Sequence, residues 1–192
     1  MKHHRGASLR PKVLANIVVT LDGNVPTGAR ARDILASKDI KSRLAEIRAL
    51  GDAVLSVCNS HDSNLPHLLL RATKPSKSLT PRFPNSLQNR GFHAPVISMS
   101  TLLDMLSTIW GVKTLVYEAG MTLSKSFIEE DFVDDLYLTI LPIIIGGSKL
   151  PSLTGLPSGF LKKNRRFRLM SLQQNGDLIH LHYIRDRKKI SI

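Results

Sequence analysis

Residues Tyr117–Ile145 read YEAGMTLSKSFIEEDFVDDLYLTILPIII and are closed by Gly146-Gly147, and this stretch decides the fold. Val112 to Tyr117 is apolar and β-branched apart from Lys113 and Thr114, the pattern of a buried strand. Its carboxyl end delivers Glu118 and an Ala119-Gly120 turn, then a short amphipathic helix over Thr122–Glu130 and a second strand over Asp135–Leu141. A strand, a glycine turn, a helix and a strand in that order build a site for a nucleotide phosphate. Free backbone N–H groups over Ala119, Gly120, Met121, Thr122 and Leu123 and the positive end of the helix would meet the anion, and the glycine lets the backbone come close. The same Ala-Gly pair also serves as a plain tight turn, so the surrounding chain has to separate the two readings.

Upstream, Val13–Leu21 (VLANIVVTL) reads as a strand ended by the turn signal Asp22-Gly23. Ser37–Ala49 places Ile40, Leu44 and Ile47 on one face of a helix, with Ser37 as its cap and Lys41, Arg43, Glu46 and Arg48 outside. Gly51-Asp52 ends that helix and Ala53–Val57 is the next strand, giving a β-α-β start suited to parallel pairing. Between Asn59 and Pro95 five prolines and many Ser, Thr and Asn residues predict a long basic loop, with Leu68-Leu69-Leu70 as a short edge strand or a surface for a partner subunit. Pro95–Met99 reads as a strand, and Ser100–Ile109 as a helix turning Leu102, Leu103, Leu106 and Ile109 to the core. Two late strands, Phe167–Gln173 and Leu178–Tyr183, are joined at Asn175-Gly176, a hairpin that adds an antiparallel edge to a largely parallel sheet.

A chain of 192 residues with 42% apolar composition suits one well-packed domain spanning residues 1–192. The single cysteine, Cys58, excludes an internal disulfide framework and a multi-thiolate zinc site, and points to the cytoplasm. His61 and His67 lie near Asp62 without a further ligand at metal-site spacing, so no metal is expected. The basic N-terminus MKHHRGASLRPK has no apolar segment behind it, which argues against a secretory signal or a membrane span. The formal charge of +12 is regional: no acid occurs between Asp62 and Asp104, and Lys162, Lys163, Arg165, Arg166 and Arg168 form a second group. Such a field attracts phosphorylated small molecules, dinucleotides and nucleic acid alike. With 5% aromatic residues and no aromatics interleaved with the basic groups, nucleic-acid binding is the least favoured of these.

RPKVLANIVVTLDG (residues 10–23), EIRALGDAVL (46–55) and VYEAGMTLSKSFIEEDFVDDLYLTILPIIIGG (116–147) together resemble the reductase domain of bacterial bifunctional riboflavin-biosynthesis deaminase-reductases, a group sharing the dihydrofolate-reductase fold. The resemblance implies an α/β three-layer fold with a mostly parallel central sheet and a C-terminal antiparallel hairpin. It implies NADPH-dependent reduction of a phosphorylated ribosylaminopyrimidine, 5-amino-6-(5-phosphoribosylamino)uracil or a relative, to its ribitylamino form. It also implies a homodimer and a stand-alone reductase, since the deaminase domain's zinc-binding cysteines and histidine have no counterpart here. In such proteins the first strand and its following aspartate line the junction of substrate and nicotinamide, which corresponds to Asn16, Thr20 and Asp22. Glu118 faces the same cleft, Ala119–Leu123 matches the phosphate-contacting turn, and Gly146-Gly147 matches an element that lets the last parallel strand pass close to the site.

On this reading Asp22 and Glu118 orient ribose hydroxyls or pass a proton, although Asp22 also reads as a turn aspartate capping its own backbone. Arg30 and Arg32 clamp a phosphate of the substrate or the 2′-phosphate of NADPH, or are surface charge, as are Lys74 and Lys77. Two departures bear on the cofactor. The family's VGxxT segment after the second strand becomes Ser56-Val57-Cys58-Asn59-Ser60, where Val57 and Cys58 bring side chains and Ser60 keeps a hydroxyl, and Glu-Gly-Gly becomes Glu118-Ala119-Gly120. They keep open a relative that binds a nucleotide or pterin with altered or lost catalysis, and a basic interaction protein without a cofactor.

Overall fold

The computed structural model describes residues 10–26, 34–58, 67–72, 98–118, 121–146, 152, 161 and 163–187. Seven strands form one sheet: β1 (Lys12–Thr20), β2 (Ala53–Cys58), β3 (His67–Ala72), β4 (Thr114–Glu118), β5 (Asp135–Leu141), β6 (Arg166–Asn175) and β7 (Leu178–Asp186), in the order β3-β2-β4-β1-β5-β7-β6. The four inner strands β2, β4, β1 and β5 run parallel, while β3 and the β7-β6 hairpin extend the two sides antiparallel. The helices are α1 (Lys38–Arg48), α2 (Met99–Thr108) and α3 (Met121–Glu129). With helices on both faces of the parallel core, this is the expected three-layer dihydrofolate-reductase-like architecture.

Every residue of β1 after Lys12 is buried, as a central parallel strand covered on both faces requires. Alternation divides its side chains. Val13, Ala15, Ile17 and Val19 join Leu103, Leu106 and Phe127 of α2 and α3 in the larger core, whereas Leu14 packs with Ile47, and Val18 with Ile40 and Leu141, beneath α1. Ser37 caps α1 through the Ile40 N–H, and Ser98 caps α2 through the Thr101 N–H. Met99 thus opens a helix instead of closing a strand, and Ile109, just past the last turn, is 41% exposed. The expected strand residues 95–97 lie outside the described residues.

α3 ends where Asp131 takes a left-handed φ of 60°, with the Phe132 N–H bonded to Phe127 O and the Asp131 N–H to Ile128 O. Arg165 completes the cap by donating to Ile128 O and Glu129 O, a cation placed at the negative end of the helix. Asp134 is the staple of the next connection: it accepts a two-pronged bond from Arg10, the Val13 N–H and a bond from Arg187. The late hairpin differs from expectation by one residue. Asn175 pairs with Leu178, so Gly176-Asp177 forms the turn and Gly176 carries the positive φ of 58°.

Candidate functional site

Parallel pairing aligns Ala15 with Tyr117 and Ser56 with Glu118, so the next residues along β1 and β4, Asn16 and Glu118, stand side by side, Glu118 at the carboxyl end of β4 and Asn16 midway along β1. Both face α1, being in phase with Leu14 and Val116. A cavity of about 310 Å³ opens there, lined by Asn16, Ser56 and Glu118 from the sheet, Leu44 and Arg48 from α1, and Val25 and Pro26 from the loop after β1. Its Glu118 side lies at the carboxyl end of β4, the side of a parallel sheet on which ligands bind.

Glu118 is gripped from the side by Arg48: Nε lies 3.0 and 2.9 Å from the two carboxylate oxygens and Nη2 lies 2.7 Å from Oε2. Asn16 Nδ2 donates to Oε1 of the same carboxylate at 2.8 Å. Asn16 is 5% exposed, and its Oδ1 has no hydrogen-bond partner among the described residues. A buried acceptor left unpaired costs about 1–3 kcal/mol, which makes it a place where a donor from a ligand or water is favoured.

Thr20 and Asp22 stand apart from this cavity, in a knot of their own. The buried Thr20 hydroxyl donates to Asp22 Oδ1 and accepts from the Asn24 N–H. Asp22 Oδ2 accepts the Gly146 N–H at 2.8 Å and Asn24 Nδ2 at 2.8 Å. The Thr20 hydroxyl and the Gly146 N–H hold the Asp22 carboxyl at about 2, so it is a carboxylate, not a proton donor, near neutral pH. Gly146 carries a positive φ of 66°. What it approaches here is Asp22.

Farther across the same face lies a second polar group. His182 Nε2 and Lys12 Nζ lie 2.7 and 2.8 Å from the oxygens of the buried Asp135, and the His182 ring stacks on Tyr137 with centroids 4.3 Å apart. Burial and the Arg43 charge depress the pKa of the neighbouring His180, which pairs with Thr139. On the other face, the Tyr117 hydroxyl donates to Ser124, and its ring stacks on Phe127 at 4.5 Å, fixing the first turns of α3 to β4. Burial pushes the Tyr117 phenol well above its ordinary range.

Of the residues expected in the site, the structure brings Asn16 and Glu118 together and gathers Thr20, Asp22 and Gly146 elsewhere. Arg30, Arg32, Ser60, Ala119, Gly120 and Gly147, like His61, Lys74 and Lys77, lie outside the described residues. Val57 and Cys58 end β2, and Met121, Thr122 and Leu123 open α3, as backbone positions. Arg48 and Ser56 are additions. Arg48 reads from sequence as one more charge on the polar side of α1, and nothing local marks its partner 70 residues away. Among the described residues no group of three His, Cys, Asp or Glu could hold a metal ion, and no helix is long and apolar enough to cross a membrane.

Comparison with known proteins places these features in context. Residues 58–181, more than half of the chain, match the RibD C-terminal domain family. The chain is 25% identical over 228 residues to the 2,5-diamino-6-ribosylamino-4(3H)-pyrimidinone 5′-phosphate reductase of Aquifex aeolicus, covering 95% of each protein. It is 23% identical over 177 residues to the enzyme of that name from Methanothermobacter thermautotrophicus, covering 72% of this chain and 81% of the relative. Among solved structures, a pyrimidine reductase-like protein of Corynebacterium diphtheriae superposes with a TM-score of 0.66 at 18% identity, covering 93% of both chains. Acinetobacter baumannii RibD superposes with a TM-score of 0.67 at 17% identity, covering 94% of this chain, which spans 59% of that longer protein.

Proposed function

Because the chain belongs to the RibD C-terminal domain family, we propose that it is an NADPH-dependent reductase acting on a phosphorylated ribosylaminopyrimidine. The substrate is 5-amino-6-(5-phosphoribosylamino)uracil or a related compound, and the product its ribitylamino form in riboflavin biosynthesis. The observation that carries this reading is the Asn16-Glu118-Arg48 constellation in a cavity between the parallel sheet and α1, with Glu118 at the carboxyl end of β4.

The donor set fits the groups it would meet. Asn16 Oδ1 is an unpaired buried acceptor for an N–H or O–H, and Glu118 is an acceptor for hydroxyls of an opened ribose. The backbone N–H groups at Met121, Thr122 and Leu123, which follow Ala119-Gly120 in sequence, would hold a phosphate, with Arg30 and Arg32 as its counter-charges. NADPH when bound supplies the hydride. The chain supplies position, because a reacting pair held about 3–3.5 Å apart loses much of its barrier. Val25, Pro26 and Leu44 wall the cleft with apolar surface that keeps water from the reacting atoms. Asp22 serves at one remove, by fixing the loop that carries Val25 and Pro26.

We place the protein in the cytoplasm as a homodimer. The apolar run Leu138–Ile145 suits an interface or a sheet core: Leu138 and Ile140 pack on the core and Leu141 is 2% exposed, while Ile143 and Ile144 are 37% and 73% exposed. Leu169, Met170 and Leu172 of the edge strand β6 are 47–60% exposed and offer the better surface for a second copy.

Titration with NADPH and NADH, followed by nicotinamide fluorescence and calorimetry, tests the reading, together with NADPH consumption on adding the phosphoribosylaminopyrimidine. Saturable NADPH binding with preference over NADH and pyrimidine-dependent consumption support it. Binding without turnover moves the protein to a nucleotide- or pterin-binding relative with lost catalysis, and a folded sample that binds neither dinucleotide overturns the cofactor.

A further inference from the structure

We infer that Arg48 is a positioning residue: by gripping Glu118 it fixes the Asn16 amide with its nitrogen on the carboxylate and its oxygen turned away from it, in a side chain that lines the cleft, so that a ligand group reaching that buried oxygen must donate a hydrogen bond and one that accepts is turned away. The inference rests on reading this cleft as the reductase's ligand site, and it adds the polarity that the ligand must present there.

The argument follows the bonds from the outside inward. Arg48 stands in the last turn of α1, where a cation is favoured by the carbonyl end of the helix. Its guanidinium reaches across to β4 and takes both oxygens of Glu118, so the carboxylate is held against rotation. Every bond described for the Glu118 carboxylate is one that it accepts, three from Arg48 and one from Asn16. An asparagine amide has one face that donates and one that accepts. Turning Asn16 over would set its oxygen 2.8 Å from Glu118 Oε1, two acceptors in contact, so the orientation with Nδ2 on Glu118 is the one the neighbours permit. The oxygen then faces away from Glu118, buried and without a partner among the described residues, in a side chain that lines the cavity.

A fixed acceptor discriminates more sharply than a rotating one. A ligand N–H or O–H satisfies it, and a ligand carbonyl leaves two desolvated oxygens opposed. Two sources supply a suitable donor: an N–H or O–H of the ribosylaminopyrimidine, or the carboxamide N–H of the nicotinamide. Arg48 touches neither on this account and acts through Glu118.

Four variants of the full chain test the proposal: Arg48→Met, Arg48→Lys, Glu118→Gln and Asn16→Leu. Arg48 has a side chain 49% exposed, so its replacement leaves the core intact. The first readout needs no ligand. The side-chain amide of Asn16, identified in a 15N-resolved spectrum as the pair lost in Asn16→Leu, is expected to shift in Arg48→Met, to return part way in Arg48→Lys, and to shift in Glu118→Gln, whose neutral amide both donates and accepts. The second readout is kinetic. Asn16→Leu and Arg48→Met raise the KM of the partner that supplies the donor by about 10-fold or more, with a smaller change in kcat. A rise confined to the pyrimidine assigns the donor to substrate, and a matching loss of NADPH affinity assigns it to nicotinamide. Asn16 amide signals unmoved in both Arg48→Met and Glu118→Gln overturn the positioning role, and unchanged KM and NADPH affinity in Asn16→Leu overturn the acceptor. If the wild-type protein neither binds NADPH nor consumes it with the pyrimidine, the reductase reading fails, while the amide signals still decide whether Arg48 sets Asn16.

Discussion

The carboxylate of Asp22 accepts the backbone N–H of Gly146 at 2.8 Å, across 124 residues of sequence, and so makes one structure of the turn after β1 and the segment after β5. A second bond parallels it, from the Leu21 N–H to Ile143 O at 2.9 Å. The loop carrying Val25 and Pro26 into the cleft is therefore anchored to the far end of β5.

Replacing Asp22 by Asn keeps one acceptor oxygen and loses the charge. Faster amide exchange at Gly146, by about 10-fold, is expected with little change in melting temperature, and turnover is expected to fall about 10-fold or more. Exchange as slow as in the wild type would sink the clasp. The pH dependence has a definite sign: the folded value of about 2 lies below the ordinary 3.8, so the clasp is complete above about 4 and released as pH falls through 2. The Gly146 amide shift should titrate in that window in the wild type, and not in Asp22→Asn.

Asp134→Ala removes the acceptor that joins Arg10, the Val13 N–H and Arg187. A loss of about 2–4 kcal/mol in urea unfolding is expected, because Arg10 is left without its carboxylate. Burial opposes ionisation of Asp134, yet the Arg10 fork and the Val13 N–H outweigh it and set its pKa below 3.8. Its contribution is complete above that value and lost as pH falls through the lowered one, so Asp134→Asn should flatten the acid limb of the stability profile.

Gly51 is buried between α1 and β2, and a Cβ there would lie 2.7 Å from Val116 Cγ2 and 3.1 Å from Ala53 O. Gly51→Ala should destabilise by about 1–3 kcal/mol through overpacking. Thermal unfolding at wild-type temperature would show that β2 and β4 yield at no cost.

Tyr117→Phe leaves the ring on Phe127 and deletes the hydroxyl that bonds the buried Ser124. The expected cost is about 1–3 kcal/mol, and weaker NADPH binding should accompany it if the first turn of α3 holds a phosphate. Affinity equal to wild type in a destabilised variant would confine the pair to packing.

Leu172→Lys places a charge on the exposed apolar row of β6, where the side chain is 60% exposed. If that strand meets a second copy, sedimentation should show a shift from dimer to monomer at unchanged fold. A dimer of undiminished strength would move the interface elsewhere.

Most elements of this fold are legible because burial imposes a period on the chain. Asp135–Leu141 has the bounds the sequence predicts, and α1 and β1 fall within a residue of theirs. Ile109 misleads because its spacing continues the apolar face of α2 past the point where the helix stops. The hairpin slips by one because Asn-Gly and Gly-Asp are both good turns, and the choice is made by the pairing of Asn175 with Leu178. Site residues are legible as types and not as partners. Asn16 stands out as a polar residue in an apolar strand, and Glu118 as the charge at a strand end. Nothing in a local window distinguishes Arg48, which reaches Glu118, from Lys41, which lies exposed on α1. Asp22 likewise shows its turn signal, while its bond to Gly146 is visible only once β1 and β5 are neighbours.

The placement of β1 between β4 and β5 sets a schedule for synthesis. Its partners are residues 114–117 and 135–141, so the nine apolar-rich residues Lys12–Thr20 emerge from the ribosome with neither edge nor face to cover them. At roughly 5–20 residues per second the wait for β5 is on the order of ten seconds. Over that interval α1 can cover one face and β4 one edge, but the edge that β5 takes stays open until the last parallel neighbour is made.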